Sequence, residues 1–260
     1  MGAIEQYYNK FNEDGRLTRR HGIVEFETTM HFVREFLSEL KAASEITILD
    51  VGAATGAYSV PLADEGYDVT AVELVTHNLN ILKKKGSSVK AYQGDAVDLS
   101  RFPDESFDVV LEFGPMYHLV DDNDKITALR EAKRVLKPGG RIFTAYCMNE
   151  YSVLTFGFKQ GNLLKAKEGG KVSGDYHFIS GSDELYSYVR LEDIDRFNEA
   201  AGLIRDFIFS ADGAANYMRE ELKAMPDGLF EEFLSYHLAT CRRPELMGAG
   251  FHTVDVLKKR

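Results

Sequence analysis

Apolar and polar positions along the chain fall into two alternating rhythms. Between residues 23 and 43, Phe26, Met30, Val33, Leu37 and Leu40 recur three or four apart, which predicts an amphipathic helix. Ile46-Thr47-Ile48-Leu49-Asp50-Val51 is then almost unbroken in apolar residues, the pattern of a strand buried on both faces. Strand-like runs recur at 68–73, 88–93, 107–112 and 141–146, with helical stretches at 76–85 and 123–136 between them. The second stretch carries Ile126, Leu129, Ala132, Val135 and Leu136 on one face, and Lys137-Pro138-Gly139-Gly140 stops it. Such alternation predicts an α/β fold, with helices on both faces of a mostly parallel, doubly wound sheet.

Past Tyr146 the rhythm changes. Residues 147–173 are irregular, with glycines at 157, 161, 169 and 170 and lysines at 159, 165, 167 and 171. Residues 176–180 and 185–189, separated by Gly181-Ser182-Asp183-Glu184, are expected to pair as a hairpin. A helix is predicted over 191–201, ending at Gly202, and a strand over 203–210. Two more helices, over about 214–224 and 228–241, precede a last strand at 251–257. No linker composition separates these parts, so one domain over 1–260 is expected, built on a seven-stranded sheet. The segments 1–24, 147–190 and 211–249 can all reach the carboxyl ends of the strands and are expected to form a lid. Their aromatics include Tyr7, Tyr8, Phe11, Tyr217 and Tyr236.

Composition narrows the partners. With 41 acidic against 31 basic side chains the net charge is −10, which argues against broad capture of nucleic acid or an anionic membrane. Cys147 and Cys241 allow one disulfide at most, so a reducing, cytoplasmic setting is expected. No run approaches the roughly 20 apolar residues that span a bilayer. Near the start, Glu5, Gln6, Asn9 and Lys10 stand where a signal peptide would carry its apolar core. No zinc-ligand spacing appears, so no metal is expected.

The candidate chemistry lies at the ends of the predicted parallel strands. Asp50-Val51-Gly52-Ala53-Ala54-Thr55-Gly56 follows the first strand and precedes a helix from Tyr58 onward. Small residues there admit a tight turn and close approach of a ligand, and the helix start offers free N–H groups. Glu73 ends the second strand, where a carboxylate can accept hydrogen bonds from both hydroxyls of a ribose. Gly94-Asp95-Ala96 follows the third strand, and Asp95 can bond an adenine amino group. Glu112 ends the fourth. A nicotinamide dinucleotide site shares the acidic ribose residue, and Gly52, Ala54 and Ala57 would serve its fingerprint. Asp50, however, would sit close to a pyrophosphate, whereas it can organise a turn beneath a cationic ligand.

In these residues the chain resembles the class I S-adenosylmethionine-dependent methyltransferases, strongly over about 45–146 and weakly elsewhere. The resemblance implies a Rossmann-like methyltransferase fold, with S-adenosylmethionine held by Asp50, Gly52, Ala53, Gly56, Glu73, Leu74, Asp95, Ala96 and Glu112. Within the family, Phe113-Gly114-Pro115-Met116-Tyr117-His118-Leu119 resembles a Gly-Pro-Leu-Tyr-His-Leu signature of small bacterial methyltransferases. Ala54 departs from the family's central glycine; at negative φ its methyl group would be tolerated, with weaker cofactor binding the expected cost.

Tyr117 and His118 are the catalytic candidates, His118 as a general base and Tyr117 as a pocket wall. A structural role for His118 is the stronger expectation, because no partner for it is visible in the sequence. Arg20 and His21 are candidates for the cofactor carboxylate. The expected reaction is methyl transfer to an oxygen or nitrogen of a small molecule. A tRNA or protein acceptor, and a cofactor-binding protein without turnover, are the alternatives.

Overall fold

The computed structural model describes residues 3–8, 13–181 and 184–260. Of the residues singled out above, Asn9, Lys10, Phe11, Ser182 and Asp183 lie outside them. Among the described residues the strands are β1 (Thr47–Val51), β2 (Asp68–Glu73), β3 (Lys90–Gln93), β4 (Phe107–Glu112), β5 (Leu136–Met148), β6 (Tyr188–Val189), β7 (Leu203–Ser210) and β8 (His252–Lys259). They join in one sheet of order β3-β2-β1-β4-β5-β8-β7, with the short β6 pairing β5. The first five run parallel, and β8 is antiparallel to both β5 and β7. The sheet thus has eight strands against the seven expected, the extra one being β6. Strand order reverses at β1, which lies between β2 and β4, and opens a crevice at the carboxyl ends.

Strand periodicity builds the two layers. Ile48 packs on one face with Met30, Val33 and Leu37 of the helix Arg20–Ser38 and with Tyr58 and Leu62. Its neighbours Leu49 and Val51 face the other way, onto Ala128, Leu129, Ala132 and Val135 of the helix Asp122–Val135. Ile194 and Phe197 of the helix Leu191–Ala201 complete that second layer. Asp121 caps the Asp122–Val135 helix by accepting from the Asn123 N–H at 2.7 Å, and Gly202 ends Leu191–Ala201 in the left-handed conformation.

Two expectations change. Residues 176–180 form no strand: Phe178 makes an isolated antiparallel bridge to Val172, and residues 188–189 join β5 in parallel. The hairpin fails because the backbone of 177–179 pairs with 171–173 instead, the Ser173 N–H donating to the His177 carbonyl and the Ile179 N–H to the Lys171 carbonyl, both at 2.9 Å. The fifth strand also begins at Leu136, so Lys137-Pro138-Gly139-Gly140 belongs to the strand's own entry. None of the helices among the described residues is long and apolar enough to cross a membrane.

Candidate active site

A cleft of about 1060 Å³, counting the solvent at its mouth, opens where β1, β2, β3 and β4 end. Asp50, Gly52, Ala53, Glu73, Leu74, Asp95, Ala96, Tyr117 and His118 all line it, so nine of the thirteen residues singled out for catalysis or cofactor binding come together.

Glu73 organises the near wall. Its Oε2 accepts the Ala54 N–H and its Oε1 accepts the Val75 N–H, both at 2.8 Å. One carboxylate therefore ties the turn after β1 to the loop after β2. Within that turn Gly52 has φ +72°, and a Cβ there would come within 2.8 Å of the Pro115 ring. Ala54 has φ +47°, contrary to the negative φ under which its methyl group was expected to be tolerated. Left-handed backbone costs a non-glycine residue roughly 1–2 kcal/mol, and the Glu73 hydrogen bond to this residue helps to hold it there. Ala54→Gly should therefore raise unfolding stability by about 1 kcal/mol, readable as a higher midpoint in chemical denaturation. An unchanged or lower midpoint would show that the turn carries no such strain.

Asp50 is buried at the floor, where the Ser59 hydroxyl donates to it. Burial, opposed by that hydrogen bond and reinforced by the nearby Glu73, pushes its pKa up to about 7. A positive charge entering the cleft would favour its ionised form. Asp95 folds its Oδ1 back onto the Val97 N–H at 3.2 Å. Asn78, on the helix Thr76–Lys84, has an Oδ1 that is buried with no hydrogen-bond partner among the described residues. It lines the cleft, which makes it a polar group that sequence reasoning missed.

The opposite wall is aromatic. The Tyr117 hydroxyl donates to the Phe113 carbonyl at 2.6 Å and its ring faces the cleft. His118 Nδ1 lies 2.8 Å from the Leu185 carbonyl, which can only accept, so this nitrogen carries the proton. In the neutral ring Nε2 is then the acceptor, and the Tyr8 hydroxyl donates to it at 2.8 Å. Burial drops the His118 pKa to about 4, against the opposing Leu185 hydrogen bond. The ring is thus neutral at physiological pH, with its basic lone pair covered by a residue of the N-terminal segment.

Four named residues, Gly56, Glu112, Arg20 and His21, fall outside the cleft lining. Gly56 is closed off, since a Cβ there would lie 2.3 Å from Leu82 Cδ1. Glu112 is fully buried in the sheet, its Oε2 accepting from the Thr144 hydroxyl at 3.1 Å. Burial, opposed by that bond, pushes the Glu112 pKa up to about 7. Arg20 turns away to the Leu222 and Met225 carbonyls and the Asp227 carboxylate, and stacks on Phe230. The arginine lining the cleft among the described residues is Arg16, four residues earlier, in the bend that precedes the helix.

Arg16 belongs to a buried charge relay with no local sequence signature. Its Nη1 donates to both oxygens of Glu25, at 3.0 and 2.8 Å. Glu25 Oε2 lies 3.4 Å from His252 Nδ1, which also meets Asp212 Oδ2 at 2.9 Å. Asp212 in turn accepts the Phe251 and His252 backbone N–H groups and the Asn216 amide. Burial works against a charge on His252, but the Glu25 carboxylate and the Asp212 hydrogen bond outweigh it and raise its pKa well above the ordinary value. Glu25 shifts the opposite way, below its ordinary value despite its burial, held by Arg16 and His252. Two cations and two anions thus alternate from the β8 backbone to the cleft wall. Glu25, Asp212 and His252 are also spaced closely enough to hold a metal ion. Their hydrogen bonds to Arg16, Asn216 and the backbone already use those oxygens, which accounts for the cluster without one.

The three expected lid segments differ in their relation to the cleft. Ile4, Tyr8, Arg16 and Leu17 of the first line it. The second braces it from behind, through the Leu185 carbonyl on His118 and the Ser187 N–H on the Tyr117 carbonyl at 2.7 Å. The third packs Leu222 and Phe230 against Val24 and lines no part of it.

Residues 49–144 match a family model described as a methyltransferase domain. A demethylmenaquinone methyltransferase of Renibacterium salmoninarum is 40% identical over 111 residues, 42% of this chain and 43% of its own. The chain thus spans less than half the length of that relative. One of the same description from Staphylococcus aureus is 28% identical over 230 residues, covering 82% of this chain and 91% of its own. Among solved structures, a Thermotoga maritima protein described as an S-adenosylmethionine-dependent methyltransferase, possible histamine N-methyltransferase, superposes with a TM-score of 0.59. It covers 99% of this chain and 98% of its own at 19% identity, a likeness of fold.

Proposed function

We propose that the protein is an S-adenosylmethionine-dependent methyltransferase acting on a small-molecule acceptor, with the Glu73–Asp95 cleft as its cofactor site. The observation that carries this reading is the Glu73 carboxylate. Its oxygens accept backbone N–H groups from Ala54 and Val75, which fixes the carboxylate at the end of β2, the place from which such a group accepts hydrogen bonds from ribose hydroxyls. The rest of the cleft fits the same ligand. Leu74, Val75, Ala96 and Leu119 offer apolar faces to a base, and the second Asp95 oxygen can accept from its amino group. Asn78 Oδ1 is a buried acceptor in want of a donor. Arg16 suits an α-carboxylate and Asp50 a neighbouring cation.

Bound S-adenosylmethionine supplies an electrophilic methyl group on a sulfonium. The chain's task is to hold an acceptor in line with it at about 3–3.5 Å and to keep water out. Tyr58, Phe113 and Tyr117 present aromatic faces toward a positive charge in the cleft. His118, neutral and hydrogen-bonded at both nitrogens, acts as a positioning residue: it fixes Tyr8 and residues 185–187 around the acceptor side. The acceptor atom then brings its own lone pair, as an oxygen or a nitrogen does. The relatives named for demethylmenaquinone support a small-molecule acceptor. Tyr8, whose hydroxyl covers His118 Nε2, borders the acceptor side of the cleft.

Calorimetric titration with S-adenosylmethionine, S-adenosylhomocysteine and NADH tests the assignment. Micromolar binding of the first two and none of NADH is expected; binding of NADH alone would overturn it. Once an acceptor is in hand, the rate should show no inflection near pH 6.5 that disappears in His118→Asn, because the His118 pKa lies at about 4. Such an inflection would restore His118 as the base.

A further inference from the structure

The second excursion from the sheet carries an outer surface that the cleft does not use. Residues 153–180 build a small core of their own, in which Leu163, Ala166 and Val172 pack with Phe178. The π-helix Val153–Lys159 supports it, with Gly157 against Leu163. This core leaves much apolar surface outside. Leu154, Phe156, Phe158, Leu164, Tyr176 and Ile179 are six of the twelve large exposed apolar side chains among the described residues, within a tenth of the chain. Leu164 is 74% exposed and Phe158 60%. Isolated exposed apolar residues need no explanation, but a cluster on one short excursion does.

Charge marks out the same surface. The segment has four lysines, at 159, 165, 167 and 171, against Glu168 and Asp175, in a chain whose net charge is −10. All four lysines are exposed. Lys159 and Lys165 make no ion pair among the described residues, and each adjoins one of the exposed apolar side chains, Phe158 and Leu164. On the helix Leu163–Glu168, Leu163 and Ala166 are buried while Leu164, Lys165 and Lys167 point outward. Apolar residues flanked by lysines on one face are the complement of an anionic bilayer surface: the first enter the acyl boundary and the second meet phosphate headgroups.

The surface is also joined to the cleft. Ring centroids lie 5.8 Å apart for Phe156–Phe178, 6.1 Å for Phe178–Tyr188, 6.5 Å for Tyr188–Tyr186 and 5.4 Å for Tyr186–His118. A continuous series of aromatic side chains thus runs from the exposed face to a residue that lines the cleft.

We propose that residues 153–180 form a peripheral membrane-docking face, which seats the protein on an anionic lipid surface through Leu154, Phe158 and Leu164 with Lys159 and Lys165 around them. The acidic total is no obstacle, because screening over about 8–10 Å leaves the local lysines to dominate at contact. The docking face does not depend on which acceptor the cleft takes.

The test is co-sedimentation of the full chain with vesicles of phosphatidylcholine alone and of phosphatidylcholine with phosphatidylglycerol in equal parts. The wild type should partition onto the mixed vesicles and stay largely in solution with the neutral ones. The double variant Phe158→Ser/Leu164→Ser should lose at least tenfold in partitioning, and Lys159→Glu/Lys165→Glu should lose the preference for the anionic lipid. Both should keep wild-type affinity for S-adenosylhomocysteine, which shows that fold and cleft are intact. Wild-type protein that stays in solution with both vesicles overturns the proposal, as does a serine variant that still sediments normally. So does concentration-dependent self-association of the wild type that the serine variant abolishes, since the face would then be covered by a second copy of the chain.

Discussion

Glu73→Ala is expected to weaken S-adenosylhomocysteine binding by two orders of magnitude or more. The carboxylate's two hydrogen bonds, to the Ala54 and Val75 N–H groups, connect two loops that together form the near wall of the cleft. Alanine removes both partners and the ribose acceptor in one step. Hydrogen bonds to charged groups contribute about 1.5–3 kcal/mol each, and tenfold in affinity is about 1.4 kcal/mol. Two lost ribose bonds alone account for a hundredfold, and relaxation of the strained Ala54 turn adds to it. Glu73→Gln keeps the shape but turns an amide NH2 toward one backbone N–H, so it should recover little. Calorimetry reads both variants directly; affinity near wild type in the alanine variant would remove Glu73 from the site.

His252→Gln is expected to cost roughly 3–5 kcal/mol of folding stability, because it leaves Glu25 and Asp212 buried without their shared cation. That corresponds to a fall in Tm of roughly 10 °C for a chain of this size. The pH dependence follows from the direction of the shift. The folded pKa of His252 lies above the ordinary value of about 6.5, so its contribution is complete below that value and is lost as pH rises through the folded one. Glu25 is shifted the other way: its contribution is present above the ordinary carboxylate range and is lost as pH falls through its depressed value. Wild-type Tm should therefore fall from neutral to alkaline pH, and His252→Gln should flatten that slope. Thermal scans across pH decide it, and a variant with the wild-type Tm and slope would show that the relay contributes nothing to stability.

The central sheet was legible because parallel strands buried on both faces show as apolar runs: the predicted limits 68–73 and 107–112 are those of β2 and β4. Glu73 and Asp95 were legible for a related reason, since strand ends in such a sheet converge on one crevice. What failed depends on contacts between distant segments. The hairpin expected at 176–189 had good local turn chemistry, but residues 177–179 pair with 171–173 and residues 188–189 with β5. Arg16 and Arg20 look alike four residues apart in the sequence, and their distant partners Glu25 and Asp227 send them different ways. Glu112 is different, because strand alternation already places it on the same side as the buried Val110. Glu25, Asp212 and His252 meet from three corners of the chain, and the only sequence trace of their relay is polar residues within otherwise buried elements.

The position of β8 bears on how the protein comes off the ribosome. Though it follows β7 in the chain, β8 lies between β7 and β5 and pairs with both. The strands that frame the cleft, β1 to β5, can assemble while synthesis is still under way, but β7 has no place in the sheet until β8 has emerged. During that interval the open edge of β5 is exposed to any strand that offers itself, a hazard for the nascent chain. The same strand brings His252 to Glu25, so the charge relay behind Arg16 is complete only once β8 has joined the sheet.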